Sequence, residues 1–166
     1  NLEIGFGKGE NLIKQALHSP KEGFIGCDPF INGNIAVSKK LRLLGIKNII
    51  FTNLVFQDLR NFMPKIYFTK IFILFPDPWN KRKHNKRRLV NHSFTKDLSK
   101  ILKPSGKVMI STDHADYQRE ILLSFKSNDN FEHINIFNNK EENYFPNICE
   151  TKYYKKAISK KIKVHH

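Results

Sequence analysis

The sequence predicts an α/β fold in which a mostly parallel, seven-stranded sheet carries helices on both faces. Short apolar runs alternate with longer amphipathic stretches along the 166 residues, as they do in repeated β-α units. The run Tyr67–Phe75 is almost entirely apolar or aromatic, which is typical of a central strand buried on both faces. Glycine-rich and polar motifs directly follow apolar runs, where ligands bind in such sheets. We expect one domain over residues 1–166.

The first half of the chain contains three predicted strands with helices after the first two. Short apolar runs predict strands at Leu2–Phe6, Gly23–Cys27 and Ile49–Asn53, before the central run. Helical spacing predicts helices over Asn11–His18 and Ile31–Leu44. In the second helix we expect Ile35, Leu41 and Leu44 to share the buried face, and Gly45 to form the C-cap.

The second half repeats the pattern. A helix over Ser93–Leu102 is expected to end at Pro104-Ser105-Gly106 and to lead into a strand at Lys107–Thr112. Further helices are predicted over Ala115–Lys126 and Thr151–Ser159, and the last strands at Phe131–Ile136 and Lys160–Val164. The polar, Asn-rich residues 138–148 predict a loop.

Charge and composition narrow the class of protein. Twenty-nine Lys and Arg against 15 Asp and Glu give a net charge of +14, which favours a polyanion such as nucleic acid, although a merely basic soluble protein is the plainer alternative. Cys27 and Cys149 are far apart and form no CxxC pair, so we expect no metal site and a cytoplasmic protein. Neither a membrane span nor a signal peptide is visible. Because the chain begins at Asn1 within an apolar run, we expect a natural N-terminal segment to be missing.

The first strand runs into a Gly-x-Gly-x-Gly turn formed by Gly5, Gly7 and Gly9. Glycines allow positive φ and close approach of a cofactor. The third glycine comes one residue earlier than in the dinucleotide fingerprint G-x-G-x-x-G. S-adenosylmethionine carries an ammonium group and no phosphate. The carboxylate of Glu3 therefore suits S-adenosylmethionine better than it suits a dinucleotide. Asp28, after the second strand, is placed to accept hydrogen bonds from ribose hydroxyls, with a helix N-cap as its structural alternative.

Phe75-Pro76-Asp77-Pro78-Trp79 directly follows the central strand. The two prolines restrict the backbone around Asp77 and predict a rigid loop that presents a carboxylate and the only Trp. Six permanent cations follow within residues 81–88. Such a run is often a solvated surface, but beside this loop it is better interpreted as a phosphate clamp, with Arg87 and Arg88 among its members. Trp79 is a candidate for stacking on an unpaired base.

Two later clusters are expected at the same edge of the sheet. Asp113 follows the fifth strand, with a helix N-cap as its structural alternative. Thr151, Lys152, Tyr153 and Tyr154 open the last helix, with ordinary packing as the alternative for the tyrosines.

Taken in order, the segments LEIGFGKGE, IGCD, FPDPWNKRKHNKRR, TDHADY and TKYY resemble the bacterial tRNA (guanine-N7-)-methyltransferase family over nearly all of the chain. The resemblance implies a Rossmann-like class I methyltransferase fold that transfers a methyl group from S-adenosylmethionine to N7 of a guanine in the tRNA variable loop. It also implies a basic segment upstream of Asn1.

The resemblance also implies roles for individual residues. Asp77 resembles the catalytic residue, which also lies close to the cofactor. The positions that resemble cofactor contacts are Glu3, Gly5, Gly7, Gly9, Asp28, Asn53 and Val55. The positions that resemble substrate contacts are Lys81, Asp113, Thr151, Lys152, Tyr153 and Tyr154. Val55 stands where the family usually has Asp, and Tyr154 where it usually has Glu. For the first, the candidate substitutes are Asn53, Gln57 or a backbone N–H.

Three alternatives remain open at this stage. An exocyclic-amine methyltransferase would have an Asp/Asn-Pro-Pro-aromatic tetrad, whereas one Pro separates Asp77 from Trp79 here. An NAD(P) oxidoreductase is disfavoured by the glycine spacing. A non-catalytic RNA-binding module would gain nothing from Glu3, Asp28 and Asp77. The sequence leaves the choice between monomer and homodimer open.

Overall fold

Five parallel strands form one sheet in the order β3-β2-β1-β4-β5. The computed structural model describes residues 1–63, 67–134 and 150–166. The strands are β1 Leu2–Ile4, β2 Phe24–Cys27, β3 Ile49–Thr52, β4 Phe68–Leu74 and β5 Leu102–Ser111. The helices are α1 Glu10–His18, α2 Ile31–Leu44, α3 Phe56–Asn61, α4 His92–Ser99, α5 Ala115–Lys126 and α6 Lys152–Ser159, with a 3-10 helix over Arg82–Arg87.

The strand order places a topological switch beside β1. From β1 the chain proceeds outward through β2 to β3, and then returns to β4 on the other side of β1. Both neighbours of β1 are parallel to it. In such sheets the segments after the strands diverge above this point and leave a crevice at the carboxyl ends of the strands. We call this edge, where all five strands end, the carboxyl rim.

Helices cover both faces of the sheet. Apolar residues of α1 and α2, such as Leu12 and Val37, pack on one face together with Phe6 and Phe24. The larger core on the other face joins α3, α4 and α5 to Ile71 and Ile73 of β4. The intervening residues Phe72 and Leu74 are also buried, so β4 is covered on both sides, as its unbroken apolar run predicts.

Most helix predictions are confirmed. The bounds of α2 and α5 agree with the sequence prediction, and Gly45 ends α2 at φ 64°. The predicted buried face of α2 is wrong in part, because Ile35 and Leu44 are 48% and 51% exposed whereas Gly33 and Val37 are buried. Helix α4 ends at Ser99, before the predicted Leu102. The short helix α3 and the 3-10 helix were not predicted, because neither is long enough to show a periodic apolar pattern.

The strand count is corrected from seven to five among the described residues. Residues 160–164 form no strand, and the tail makes only an isolated antiparallel bridge between His165 and Thr112. Of the predicted sixth strand, residues 131–134 are irregular, and the remainder lies outside the described residues together with the predicted loop at 138–148. Strand β5 begins at Leu102 and includes Pro104-Ser105-Gly106, with an irregular register against β4 near Phe68.

Two further observations concern features expected from composition. None of the helices in the described part of the chain is long and apolar enough to cross a membrane. Cys27 is buried, and burial raises the pKa of its thiol to about 12, so it is an unreactive core residue. Cys149 lies outside the described residues.

Candidate active site at the carboxyl rim

The glycine loop, residues 5–9, connects β1 to α1 through three left-handed residues. Gly5, Gly7 and Gly9 have φ of 78°, 56° and 71°, a conformation that side chains rarely adopt. The Gly5 N–H donates to the Cys27 carbonyl at 2.8 Å, which extends the β1–β2 pairing into the loop. A Cβ atom added to Gly5 or Gly7 would meet nothing within 4 Å. Their backbone therefore borders open space, a cradle in which a ligand can contact the main chain.

A fourth glycine holds the loop in place from α2. A Cβ atom on Gly33 would lie 2.0 Å from the Gly7 carbonyl oxygen, and one on Gly9 would lie 2.4 Å from Val37. Sequence reasoning missed Gly33. The available signal was a glycine inside a helix, where it costs about 1 kcal/mol relative to Ala and so requires a packing reason.

Asp28 connects the second strand to the glycine loop. Its carboxylate is buried and accepts the Gly7 N–H at 2.6 Å and the Phe30 N–H at 2.8 Å. Phe30 is the N-cap residue of α2, so Asp28 is not the N-cap. Each carboxylate oxygen has a second lone pair beyond these backbone contacts, which leaves Asp28 able to accept a ribose hydroxyl.

Glu3 lies one layer below the loop, in the middle of β1. Its side chain is 3% exposed and accepts a hydrogen bond from the Asn11 amide at 2.9 Å. Burial raises the pKa of Glu3 from 4.5 to about 8, and the nearby carboxylates of Asp28 and Glu10 add to the rise. Glu3 is therefore mostly neutral near pH 7, and a cation placed beside it would favour its ionised form.

The segment after β3 lies at the same rim. Asn53, Val55 and Gln57 are all exposed at the rim end of β3. Val55 is the N-cap residue of α3, and its carbonyl accepts the Asp58 and Leu59 N–H groups. The apolar side chain of Val55 cannot replace a carboxylate. Any polar side-chain contact from this segment to a cofactor would therefore come from Asn53 or Gln57.

The proline loop, residues 75–79, leaves β4 with a strained backbone at both ends. Phe75 and Trp79 have φ of 55° and 48°, and Phe75 remains tied to β5 because its N–H donates to the Ser111 carbonyl at 2.7 Å. Left-handed non-glycine residues cost about 1–3 kcal/mol each and concentrate at functional sites. Between them, Asp77 is exposed at the end of the central strand.

Residues 81–88, the basic segment, fold back over this loop. Lys81 is exposed, and its carbonyl accepts the His84 N–H that starts the 3-10 helix. The Arg87 guanidinium lies 5.1 Å from the centre of the Trp79 ring, and His84 meets the same ring edge-on. The indole proposed for base stacking is thus already in contact with a cation and an imidazole.

Arg88 does not present its charge to solvent as the clamp hypothesis assumed. It is 5% exposed, its Nε donates to the Pro78 carbonyl at 2.7 Å, and its Nη1 lies 2.5 Å from Glu120. The guanidinium also lies 5.0 Å from the Tyr117 ring centre. Arg88 therefore fastens the proline loop to α5, whereas Arg87 remains exposed and available to a phosphate.

Asp113 follows β5 and is half-buried at the same rim. The alternative interpretation of Asp113 as the N-cap of α5 is wrong. The N-cap is the next residue, His114, whose Nδ1 accepts the Tyr117 N–H at 3.2 Å. Among the described contacts, Asp113 thus has no capping role at α5, and its carboxylate remains a candidate for contact with a base.

The start of α6 completes the rim. Thr151 is buried and caps the helix by accepting the Tyr154 N–H at 3.3 Å, while Lys152 N–H donates to Glu10 at 2.8 Å. Tyr153 stacks on Phe75, with ring centres 6.2 Å apart and the Lys152 ammonium 4.8 Å from the Tyr153 ring. Tyr154 faces His166. A segment more than 140 residues away in sequence is thereby placed between the glycine loop and the proline loop.

These contacts bring most of the predicted site residues to one edge. A nucleoside cofactor would be held by the open backbone at Gly5 and Gly7, by the Asp28 carboxylate and, below them, by Glu3. An ammonium group beside Glu3 would favour its ionised form, because opposite charges attract. These backbone and carboxylate groups are therefore compatible with S-adenosylmethionine. In the described ranges, no group of three or more His, Cys, Asp or Glu side chains could hold a metal ion.

The switch-point sheet, the glycine loop and the carboxylate after β2 define a Rossmann-like nucleoside-binding protein. The family model described as "Putative methyltransferase" matches residues 1–166, and the chain belongs to this methyltransferase family. A protein of Wolbachia pipientis wMel named "tRNA (guanine-N(7)-)-methyltransferase" is 37% identical over 98% of this chain and 71% of its own length. A protein of Cereibacter sphaeroides with the same name is 37% identical over 73% of this chain and 50% of its own length.

Solved structures support the fold. A precorrin-6y C5,15-methyltransferase from Geobacter metallireducens GS-15 superposes with a TM-score of 0.62 at 11% identity, covering 76% of this chain and 59% of that one. PKMT2 from Rickettsia typhi, solved with AdoHcy, gives 0.54 at 24% identity over 66% of this chain and 20% of that one. The chain spans between half and about 70% of the length of the curated relatives described above.

Proposed function

We propose that this protein transfers a methyl group from S-adenosylmethionine to N7 of a guanine in the variable loop of tRNA. One observation carries the proposal: the glycine loop, the proline loop and the start of α6 meet at a single rim through direct contacts. The names of the curated relatives support the choice of tRNA and of guanine N7.

The cofactor contributes an electrophilic methyl group on a sulfonium centre. Guanine N7 carries a lone pair in the ring plane and no proton, so attack on that methyl requires no base. The protein's task is to hold the two partners in line, and positioning of this kind can supply about 7–11 kcal/mol. The open cradle at Gly5 and Gly7 and the acceptor Asp28 would fix one partner, while Glu3, once ionised, would attract its ammonium group.

Asp77 is the proposed catalytic residue. As the methyl group arrives, positive charge develops on the purine, and a carboxylate fixed nearby stabilises that charge. Phe75 and Trp79 hold the loop in a left-handed backbone at both ends, and Arg88 fastens it from behind, so Asp77 needs little reorganisation. Asp113 and the start of α6 with Tyr153 would contact the base edge, and Lys81 and Arg87 would contact phosphates.

The test is to incubate the protein with a labelled methyl donor and an unmodified tRNA transcript, followed by analysis of the nucleosides. We expect 7-methylguanosine. Asp77→Asn should lower kcat by about 10²–10³-fold, the size seen when one electrostatic contact to a transition state is lost, while cofactor binding largely survives. Asp129→Asn, an exposed carboxylate after α5, is the matched control and should retain full activity.

The possible outcomes separate the alternatives. Methylation at an exocyclic amine would replace the N7 assignment, and tight RNA binding without any methylated nucleoside would favour a non-catalytic RNA-binding module. Full activity of Asp77→Asn would refute the catalytic role of Asp77 alone.

A further inference from the structure

The final helix and the residues after it carry a strong positive charge, most of which the proposed site does not use. Residues 151–166 contain six lysines and no acidic residue. Helix α6 buries Ala157 and its cap Thr151, and its remaining lysines point to solvent. We call the exposed lysines after Tyr154 the lysine surface; they are Lys155, Lys156, Lys160, Lys161 and Lys163.

The lysine surface is anchored at both ends to the carboxyl rim. At its start, the Lys152 N–H donates to Glu10 and Tyr153 stacks on Phe75. After it, the main chain of His165 exchanges two hydrogen bonds with Thr112, of 2.9 and 2.8 Å, at the end of β5. These contacts fix the orientation of the surface relative to Asp77, two residues from Phe75.

The lysine surface and the basic segment lie on opposite faces of the sheet. Glu10 belongs to α1, so its bond to Lys152 places the start of α6 on the face covered by α1 and α2. Arg88 packs on Tyr117 and Glu120 of α5, which places the basic segment on the other face. The carboxyl ends of β4 and β5, with the proline loop, lie between the two.

We propose that the lysine surface is a second RNA-backbone binding surface, so that one RNA strand crosses the carboxyl rim with its phosphates held on both sides of Asp77. The inference rests on the proposed tRNA substrate. Charge complementarity selects the occupant: the lysines have no acidic residue among them within residues 151–166, whereas a phosphodiester backbone presents regularly spaced single charges. Contacts on both sides of the target base would hold that base over the rim more firmly than one basic segment could.

The experiment compares two variants with the same change in charge. The test variant carries Lys155→Gln, Lys156→Gln and Lys160→Gln. Glutamine keeps helix propensity at the first two positions, Lys160 is the C-cap after α6, and residues 151–154 are unchanged. The control carries Lys21→Gln, Lys47→Gln and Lys126→Gln, exposed residues near the amino ends of the strands. Circular dichroism and thermal melting establish that both variants fold.

The readout is the dissociation constant for an unmodified tRNA transcript as a function of salt concentration. Each lost phosphate contact lowers the slope of log K against log salt by about 0.7–0.9, so the test variant should lose about two to three in slope. The control should keep the wild-type slope, and kcat at saturating tRNA should be unchanged in both. An unchanged slope in the test variant, or an equal loss in the control, would overturn the proposal.

A second comparison shows whether both surfaces bind the same RNA molecule. Adding Arg87→Gln to the test variant should lower the salt slope by about one more, because the two surfaces would contact different phosphates. No further loss would contradict simultaneous contact. The slope does not depend on catalysis, so a protein that fails to methylate tRNA but shows these changes would sink the proposed function and leave the lysine surface established.

Discussion

Replacing Glu3 by glutamine should change how the stability of the fold depends on pH. Burial raises the pKa of Glu3 from 4.5 to about 8 in the folded protein, whereas in the unfolded chain it ionises normally. Between these values the folded state binds a proton that the unfolded state has lost, so unfolding becomes easier as pH rises. The stability contributed by neutral Glu3 is complete below pH 4.5 and is lost as pH rises through 8.

The expected magnitude follows from the two pKa values. Each unit of pKa difference corresponds to about 1.4 kcal/mol, so a group moving from 4.5 to about 8 changes stability by roughly 4–5 kcal/mol across the whole range. Glutamine has the shape of the neutral acid and can still accept the hydrogen bond from Asn11. The Glu3→Gln variant should therefore not lose this stability as pH rises, while all other titrating groups are shared with the wild type.

The assay is urea unfolding of both proteins at several pH values from about 5 to 8. The free energy of unfolding of Glu3→Gln relative to wild type should rise by roughly 1.4 kcal/mol per pH unit in this range. Two curves separated by a constant offset would refute the reasoning, because they would show that Glu3 has the same pKa in both states. Calorimetry in buffers of different ionisation enthalpy adds a second readout: cofactor binding near pH 7 should release a proton from wild type but not from Glu3→Gln.

Two further predictions follow from packing. Gly33→Ala should weaken cofactor binding at least tenfold, because its Cβ would lie 2.0 Å from the Gly7 carbonyl and must displace the glycine loop; Gly45→Ala, at φ 64°, should cost only about 1 kcal/mol of stability and leave cofactor affinity unchanged in the same titration. Arg88→Met should destabilise the protein by about 1–3 kcal/mol in thermal or urea unfolding, mainly because the Pro78 carbonyl loses its donor, while the half-exposed Glu120 stays solvated. Arg87→Gln should leave stability unchanged and lower the salt slope of tRNA binding by about one. Equal stability losses in the two arginine variants would contradict this division of roles.

Local patterns alone were enough to predict much of the molecule. The apolar runs that form β1 to β4, the amphipathic spacing of α1, α2 and α5, and the positive φ of the glycine loop all depend on residues close in sequence. Because the carboxyl ends of parallel strands meet at one edge, the order of strands and motifs also predicted that these motifs would share one edge of the sheet. The motif order indicated the methyltransferase family that the comparisons then showed.

Tertiary structure decided what depends on distant partners. The two adjacent arginines, Arg87 and Arg88, cannot be distinguished by local sequence. The position of α5 leaves Arg87 exposed to solvent and makes Arg88 a buried partner in an ion pair with Glu120. Gly33 acquires its role only because α2 packs against the glycine loop. Residues 160–164 have strand-like composition but form no strand, because strand formation requires an adjacent edge that pairs over several residues, and the described backbone pairing of the tail with the sheet edge is the isolated bridge between His165 and Thr112. The sequence thus determined the chemical groups and their order along the chain, while packing determined which of them are buried and which are exposed at the rim.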